Sequence, residues 1–580
     1  MQSFSVILSI LGLGLLHVAI GALDPDGVPY PDDPSVLNQQ AGIAILKNYE
    51  HKKRTDYIFR QNLSPTAKLA DKIVAQIKKT EDITIWNRYA NSNNPKFPGQ
   101  NFASARSTIG TTDLFKVVKR LPKGSLLHAH LTAMLPYGII FQTILNTPGM
   151  VISAATDLAS DANKNNTSIN FAHSNTTVTA AAASIWTTSY IPNTPVLVTE
   201  AADAFPGGRV AFLAFLKDRV TLGIDDAEQS ELGVDAIWKK FQGIFGTVGT
   251  AWSYEPLVRS FLQDLFGSLA DDGVQWVEIR NGGNNGVVKT GDSVASPDPD
   301  YWYNLFQDEV TKFKATRKGR NFWGTRIIWT VSRGRERARI ISDMKNALNF
   351  KAKYPDLISG YDLVSQEDLG RSLSDLTPEL LWFQQQAGAR NLTIPYFFHA
   401  GETLGDGNST DDNIISAVKF GTRRIGHGFS LFKHPTLMDI YKEENVAVEV
   451  CLISNEALRL NDNVLQHPLP ALIANGVYTA LSNDDPAIEG QDDAGLSYDF
   501  YEAIQGFENI GLAGLGNLAQ NSVLFSNFED QNSYKWYTDI EEGANGSGIK
   551  ADHVREWNKD WEKFCKWVVS EFGAKYNATA

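Results

Sequence analysis

The chain has 580 residues, 43% of them hydrophobic, 11% aromatic and 21% charged, with a formal net charge of −13. This is globular composition, which excludes wholesale disorder, a collagen-like repeat and a multi-span membrane protein; the length calls for one large domain with insertions, or for two to three domains. The acidic balance, 66 Asp+Glu against 53 Lys+Arg, argues against sequence-independent polynucleotide binding, and two cysteines exclude a disulfide scaffold or a cysteine-rich zinc site.

The chain opens with an uncharged apolar run, Phe4 to Leu23, ending in the small residues Gly21 and Ala22. This predicts a secretory signal over residues 1–22. The segment before it lacks a basic residue, which leaves an uncleaved anchor as the alternative; the DPDG turn that follows, with no basic flank, disfavours that. Sequons at Asn62, Asn165, Asn166, Asn175, Asn391, Asn408, Asn545 and Asn577 support export and glycosylation, three of them clustering in one expected loop. Cys451 and Cys565 allow at most one intramolecular disulfide, and the apolar run around Cys451 suits a buried free thiol equally well. The expectation is a secreted, extracellular glycoprotein.

A Pro/Asp-rich tether, Asp24 to Pro34, leads into a helical region, roughly Ser35 to Tyr89, where AKLADKIVAQIKK has amphipathic spacing. Asn91 to Gln100 reads as a loop, so an N-terminal helical region is expected over residues 23–105 and a second unit over 106–580. From Leu121 the texture changes to short apolar runs separated by helical spacing. The expected strands are Gly124–His130, Gly273–Arg280, Thr325–Arg333, Leu357–Ser365, Thr393–Glu402, Arg423–Phe429, Val446–Ser454 and Val477–Asp485. Strand and helix in alternation, with continuously apolar strands, imply a parallel sheet covered by helices, and eight such units point to an α/β fold of the (β/α)8 TIM-barrel type. The connection Leu131 to Asp272 is too long for a loop, and its stretch from about Asn146 to Pro206 is rich in Ala, Asn, Ser and Thr, so an inserted, glycosylated subdomain is expected over about residues 146 to 220. The chain closes on the helical pattern VREWNKDWEKFCKWVVSEF.

With cysteine scarce, metal or nucleophile chemistry must run mainly on His, Asp and Glu. His128 and His130 at the end of the first expected strand are two residues apart and point to the same side, so both can approach one metal. A His-x-His pair alone is a weak signal. It gains weight from HAGE (His399 to Glu402), GHG (Gly426 to Gly428) and SNDDP (Ser482 to Pro486), each ending a further expected strand, where a barrel carries its catalytic face. Three neutral imidazoles and one carboxylate suit Zn²⁺ with a position left for water. Glu402 is placed to donate a proton without being a ligand. His427, flanked by glycines that let a substrate approach closely, can serve as base or orienter of the water. Asp484 and Asp485 point different ways, so one can reach a metal and the other a substrate.

LPKGSLLHAH, FHAGE, RIGHGF and SNDDP resemble the adenosine deaminase family over roughly residues 30 to 570. The signal run, the N-terminal helical region and the insertion resemble its secreted branch, that of adenosine deaminase 2 and the adenosine deaminase-related growth factors. The resemblance implies one Zn²⁺ per chain on His128, His130, His399 and Asp484. It also implies a proton from Glu402 to purine N1 while zinc hydroxide attacks C6, His427 activating that hydroxide, and Asp485 hydrogen-bonding the base. The substrate would be adenosine or 2′-deoxyadenosine, and the products inosine or deoxyinosine and ammonia. Ser365 stands where the family usually has glycine, with its backbone N–H still available to the ring; Trp238 resembles a pocket tryptophan or is a core aromatic. A homodimer through the N-terminal helices is implied as well. Three departures stand out: Leu131 and Thr132 replace an aspartate expected to meet the sugar, Ser332 and Arg333 replace a histidine near the substrate, and the insertion lacks a cysteine pair. They leave open a same-fold deaminase of another purine or a nucleotide, or a growth-factor-like binding glycoprotein with weak activity.

Overall fold

The computed structural model describes residues 25–86, 96–175, 183–251, 253–283 and 286–576. The expected signal run and Asn577 lie outside these residues. Eight parallel strands form the centre: β1 (Gly124–His130), β2 (Val274–Asn281), β3 (Gly324–Ser332), β4 (Ile358–Val364), β5 (His399–Ala400), β6 (Arg424–His427), β7 (Ala447–Val450) and β8 (Thr479–Leu481). They pair in two four-stranded sheets, β1 to β4 and β5 to β8. Single bridges close the two seams. At one, the His130 N–H donates to the Asp484 carbonyl and the Asp484 N–H to that of His128, both at 3.0 Å. At the other, Tyr361 donates to the Pro395 carbonyl at 2.9 Å and Phe397 to that of Tyr361 at 3.0 Å. The result is the expected barrel.

The two halves differ in strand length. β5 is much shorter than the apolar run Thr393–Glu402 that encodes it, because Pro395 has no N–H to give a ladder and the chain turns away at Gly401, whose φ is +84°. Between strands run the covering helices, among them Glu255–Asp271, Tyr301–Ala315, Arg337–Lys353, Thr377–Ala389 and Asn413–Lys419.

Among the described residues, the N-terminal region holds the helices Pro34–Lys53, Tyr57–Gln61 and Pro65–Thr84. The third starts where Ser64 Oγ accepts the Ala67 N–H at 3.0 Å and Pro65 occupies the first turn. It buries Ala67, Ala70, Ile73, Val74 and Ile77, and it contacts the C-terminal helix Ile549–Phe572. The first helix buries none of its residues.

Between β1 and β2 lies a small antiparallel sheet, with Met150–Ala154 between Ile169–His173 and Val196–Leu197. The connection continues past residue 220 into the helix Gly233–Val248, beyond the span expected from composition. That helix is fastened over the barrel: Gln366 Nε2 donates to Asp235 Oδ1 at 2.6 Å, and Arg459 donates to the Gly233 carbonyl at 3.1 Å. Cys451 and Cys565 are both free and buried, so among the described residues no disulfide forms.

Candidate active site

His128 and His130 end β1, His399 begins β5, His427 ends β6, and Asp484 and Asp485 follow β8, so all six converge at the C-terminal rim. The backbone is bent to achieve this. His427, Asp484 and Ser365 have φ of 64°, 53° and 81°, the left-handed region that side chains other than glycine rarely adopt, and such strain concentrates at functional sites. The glycine before His427 has a use different from the one expected. A Cβ at Gly426 would overlap the His128 imidazole, so the residue makes room for a histidine rather than for a substrate.

His128 Nε2 lies 3.1 Å from His399 Nε2 and 3.1 Å from Asp484 Oδ1, and His130 Nε2 lies 3.1 Å from the same carboxylate oxygen. The outer nitrogens of two of these rings are committed. His128 Nδ1 donates to Glu449 Oε2 at 2.8 Å, and His399 Nδ1 donates to Asp362 Oδ2 at 2.7 Å. Burial alone would raise Asp362 and Glu449; the hydrogen bond from His399 and the charge of Arg280 on the first, and the charges of Arg280 and Arg424 on the second, outweigh it and keep both ionised. Burial likewise holds the His399 ring down to about 3 and therefore neutral. With its proton on Nδ1, His399 presents a lone pair on Nε2 toward His128 Nε2 and toward the Asp484 carboxylate, and the charge of Asp484, against burial and Arg280, pulls the His128 ring above its ordinary value. Imidazole nitrogens crowded on an ionised carboxylate favour positive charge between them and suit a cation, and imidazoles backed by carboxylates are the usual support for a zinc ligand set. His128, His399, His427 and Asp484 each bring a ligand atom within 4.8 Å of the others, as do His130, Asp484 and Asp485.

Below the histidines the barrel interior is ionic. Arg280 pairs with Asp362 and Glu449, both at 2.8 Å, and Arg424 pairs with Glu449 at 2.6 Å and with Glu278 at 2.9 Å. All five side chains are closed to solvent. None of them was singled out from sequence as a site residue. The signal present there was a charge inside each apolar run: Glu278 and Arg280 in VQWVEIR, Asp362 in GYDLV, Arg424 in RRIG and Glu449 in VAVEV.

Glu402 is buried, and neither carboxyl oxygen has a hydrogen-bond partner. Burial, reinforced by the charges of Asp484 and Glu367, pushes it well above the carboxylate range, so it keeps its proton at neutral pH. Its backbone N–H is held by Glu367 Oε1 at 2.8 Å. Asp485 is likewise raised, by burial and then by Asp484 and Glu489. His427 Nε2 stands 3.6 Å from both Glu402 Oε1 and Asp484 Oδ2, and Ser454 donates to Asp484 Oδ2 at 2.7 Å.

His130, His399, Glu402, Asp484 and Asp485 form the floor of a cavity of about 630 Å³. One wall is the aromatic face of helix Gly233–Val248, Trp238, Phe241 and Phe245; Trp238 is buried and packs on Phe241, so it is both core and lining. The other wall carries Ser332 and Ser365, two of the positions that depart from the family, and they touch each other: Ser365 Oγ donates to Ser332 Oγ at 3.0 Å. The φ of 81° at Ser365 is one that glycine adopts more readily than a residue with a side chain. Arg333 turns away from the cavity and ties strands together, donating to the carbonyls of Leu363 at 2.9 Å and His399 at 2.7 Å. Leu131 is buried, and neither it nor Thr132 lines the cavity.

The family model described as Adenosine deaminase matches residues 220–542. Similar proteins include an adenosine deaminase of Phlebotomus duboscqi, 30% identical over 519 residues that cover 87% of this chain and 89% of that one. Adenosine deaminase 2 of Pongo abelii is 30% identical over 82% of this chain and 84% of its own. Adenosine deaminase 2-A of Danio rerio is 29% identical over 75% and 81%. On the matched profile, the relatives and the barrel site together, the chain belongs to the adenosine deaminase family, in its adenosine deaminase 2 branch, and is a hydrolytic deaminase.

Proposed function

We propose that this chain is a secreted zinc-dependent aminohydrolase that converts adenosine or 2′-deoxyadenosine to inosine or deoxyinosine and ammonia. The observation that carries this reading is a buried cluster of imidazole nitrogens around one carboxylate oxygen, at 3.1 Å separations, beside a carboxyl that burial pushes toward its protonated form. His128, His130, His399 and Asp484 would hold one zinc ion, which when bound lowers the pKa of water from 15.7 to about 7 and so makes hydroxide available at neutral pH.

The remaining work falls to side chains. Glu402 holds a proton and delivers it to purine N1, which draws electrons from C6 and prepares that carbon for attack. Asp485, also protonated, hydrogen-bonds a ring nitrogen of the base. The Ser365 N–H, presented by a left-handed turn, meets another. Trp238 and Phe241 cover the base and exclude water from the closed site. His427 faces the space between Glu402 and Asp484 and orients the attacking water.

Secretion is supported by the sequons: Asn62, Asn165, Asn166, Asn175, Asn391, Asn408 and Asn545 are all exposed. Among the described residues no helix is long and apolar enough to cross a membrane. A homodimer through the N-terminal region is supported by helix Pro34–Lys53, where Leu37, Leu46 and Tyr49 are half or more exposed. Replacing Leu46 and Tyr49 together by glutamate is expected to halve the mass measured by light scattering while leaving catalysis within about twofold.

Incubating the zinc-loaded protein with adenosine, deoxyadenosine, adenine and AMP, and separating the products by chromatography, tests the reading. Inosine and ammonia from adenosine are expected. Turnover confined to adenine or AMP would instead place the enzyme among deaminases of other purines, which the Ser332–Ser365 wall permits.

A further inference from the structure

Behind His427 runs a chain of hydrogen bonds whose direction can be read from one end. The Leu469 backbone N–H, which can only donate, points at His467 Nδ1 at 3.0 Å. His467 Nδ1 therefore holds a lone pair. The ring is buried, which holds it down to about 3 and neutral, so its single proton is on Nε2. His467 Nε2 lies 3.0 Å from Asn455 Oδ1 and donates to it. The other end of the Asn455 amide is then its NH2 group, which lies 3.0 Å from His427 Nδ1 and donates to that nitrogen. His427 Nδ1 is an acceptor, and the proton of a neutral His427 ring is left on Nε2. That atom is buried, has no hydrogen-bond partner, and faces the space between Glu402 and Asp484.

The parts are fixed in place. Asn455 is fully buried in the short helix Leu452–Ala457 that follows β7, and the Phe429 ring meets His467 edge-on at 5.4 Å. The contrast with the ligand histidines is direct. His128 and His399 are backed at Nδ1 by carboxylates, which accept and leave the lone pair on Nε2 for a metal; His427 is backed by an amide donor, which does the reverse.

We infer that Asn455 and His467 are positioning residues that hold His427 with its proton on Nε2, so that His427 meets the attacking water as a hydrogen-bond donor and not as the group that takes its proton. The inference rests on the deaminase reading and deepens the role of one residue in it.

Neutron diffraction from deuterated crystals of the zinc-loaded protein tests it without recourse to activity. Deuterium is expected on Nε2 of His427 and of His467, with two deuterons on the Asn455 atom that faces His427; deuterium on His427 Nδ1 overturns the inference. Kinetics supply a second reading. Asn455→Asp presents only acceptors to both histidines and forces the His427 proton to Nδ1. It is expected to lower kcat about 100-fold with KM changed less than about threefold and zinc content unchanged. An undiminished kcat overturns the inference. If the unaltered protein deaminates no purine nucleoside, the neutron map still reports the tautomer, so the two failures are distinguishable.

Discussion

Two sets of carboxyl groups are buried in this barrel, and the structure treats them in opposite ways. Asp362 and Glu449 lie against Arg280 and Arg424 at 2.6–2.8 Å and are held ionised. Glu402, Glu456, Glu489, Asp499 and Glu502 are equally hidden, make no ion pair with a Lys or Arg among the described residues, and are all raised by burial. Burial is common to both sets, so the neighbouring guanidinium decides the protonation state. The paired set can then accept from the ligand histidines, and the unpaired set can hold protons. One barrel thus provides fixed acceptors behind the histidines and a proton donor beside His427.

The largest effect is expected from Glu402→Gln, which keeps the shape and removes the transferable proton. Its kcat should fall about 10³-fold with zinc content unchanged, measured by inosine formation and metal analysis. Zinc lost along with activity would instead move Glu402 among the ligands.

Breaking the paired set should act through the metal. Glu449→Gln leaves Arg280 and Arg424 short of a counter-charge and weakens the grip on His128 Nδ1. A 10- to 100-fold loss of zinc affinity, roughly, is expected from competition with a chelator, together with a lower Tm. Retention of wild-type affinity would separate the ionic interior from the metal site.

The smallest effect is predicted for Glu502→Gln, which imitates the protonated carboxyl. Burial and the Asp499 charge push Glu502 up to about 8 from an ordinary value of 4.5. Between these values the folded state binds more protons than the unfolded chain, so stability from this group is complete below about 4.5 and is lost as pH rises through 8. The variant should match the parent at pH 5 and exceed its Tm by about 2–4 °C at pH 8. Equal pH slopes for the two proteins would mean that Glu502 is ionised in the folded state.

Much of the architecture was legible because it is local. Apolar runs alternating with helical spacing mark strands and helices, and residues at i and i+2 on a strand share a face, which brought His128 and His130 together on paper. The shortness of β5 was legible only in part: Pro395 and Gly401 stand in its apolar run, but which of the remaining residues pair depends on where a neighbouring strand ends. Asp362, Glu367, Glu449, Asn455 and His467 escaped notice as site residues although their chemistry is plain in the letters. A carboxylate inside an apolar run announces a partner but does not name it.

By itself, the sequence determined the kind of chemistry available: with two cysteines and four histidine- or aspartate-bearing motifs at strand ends, the site had to be built from imidazole and carboxylate. Tertiary structure alone decided which of those groups carry protons. Glu449 reaches His128 across 321 positions of sequence, and Asn455 links His427 to His467 through an amide whose orientation depends on a backbone N–H at Leu469. Local pattern records composition and period. Proton placement depends on which charges and hydrogen-bond donors stand within about 3 Å in a site closed to water, and only the closed barrel brings them there.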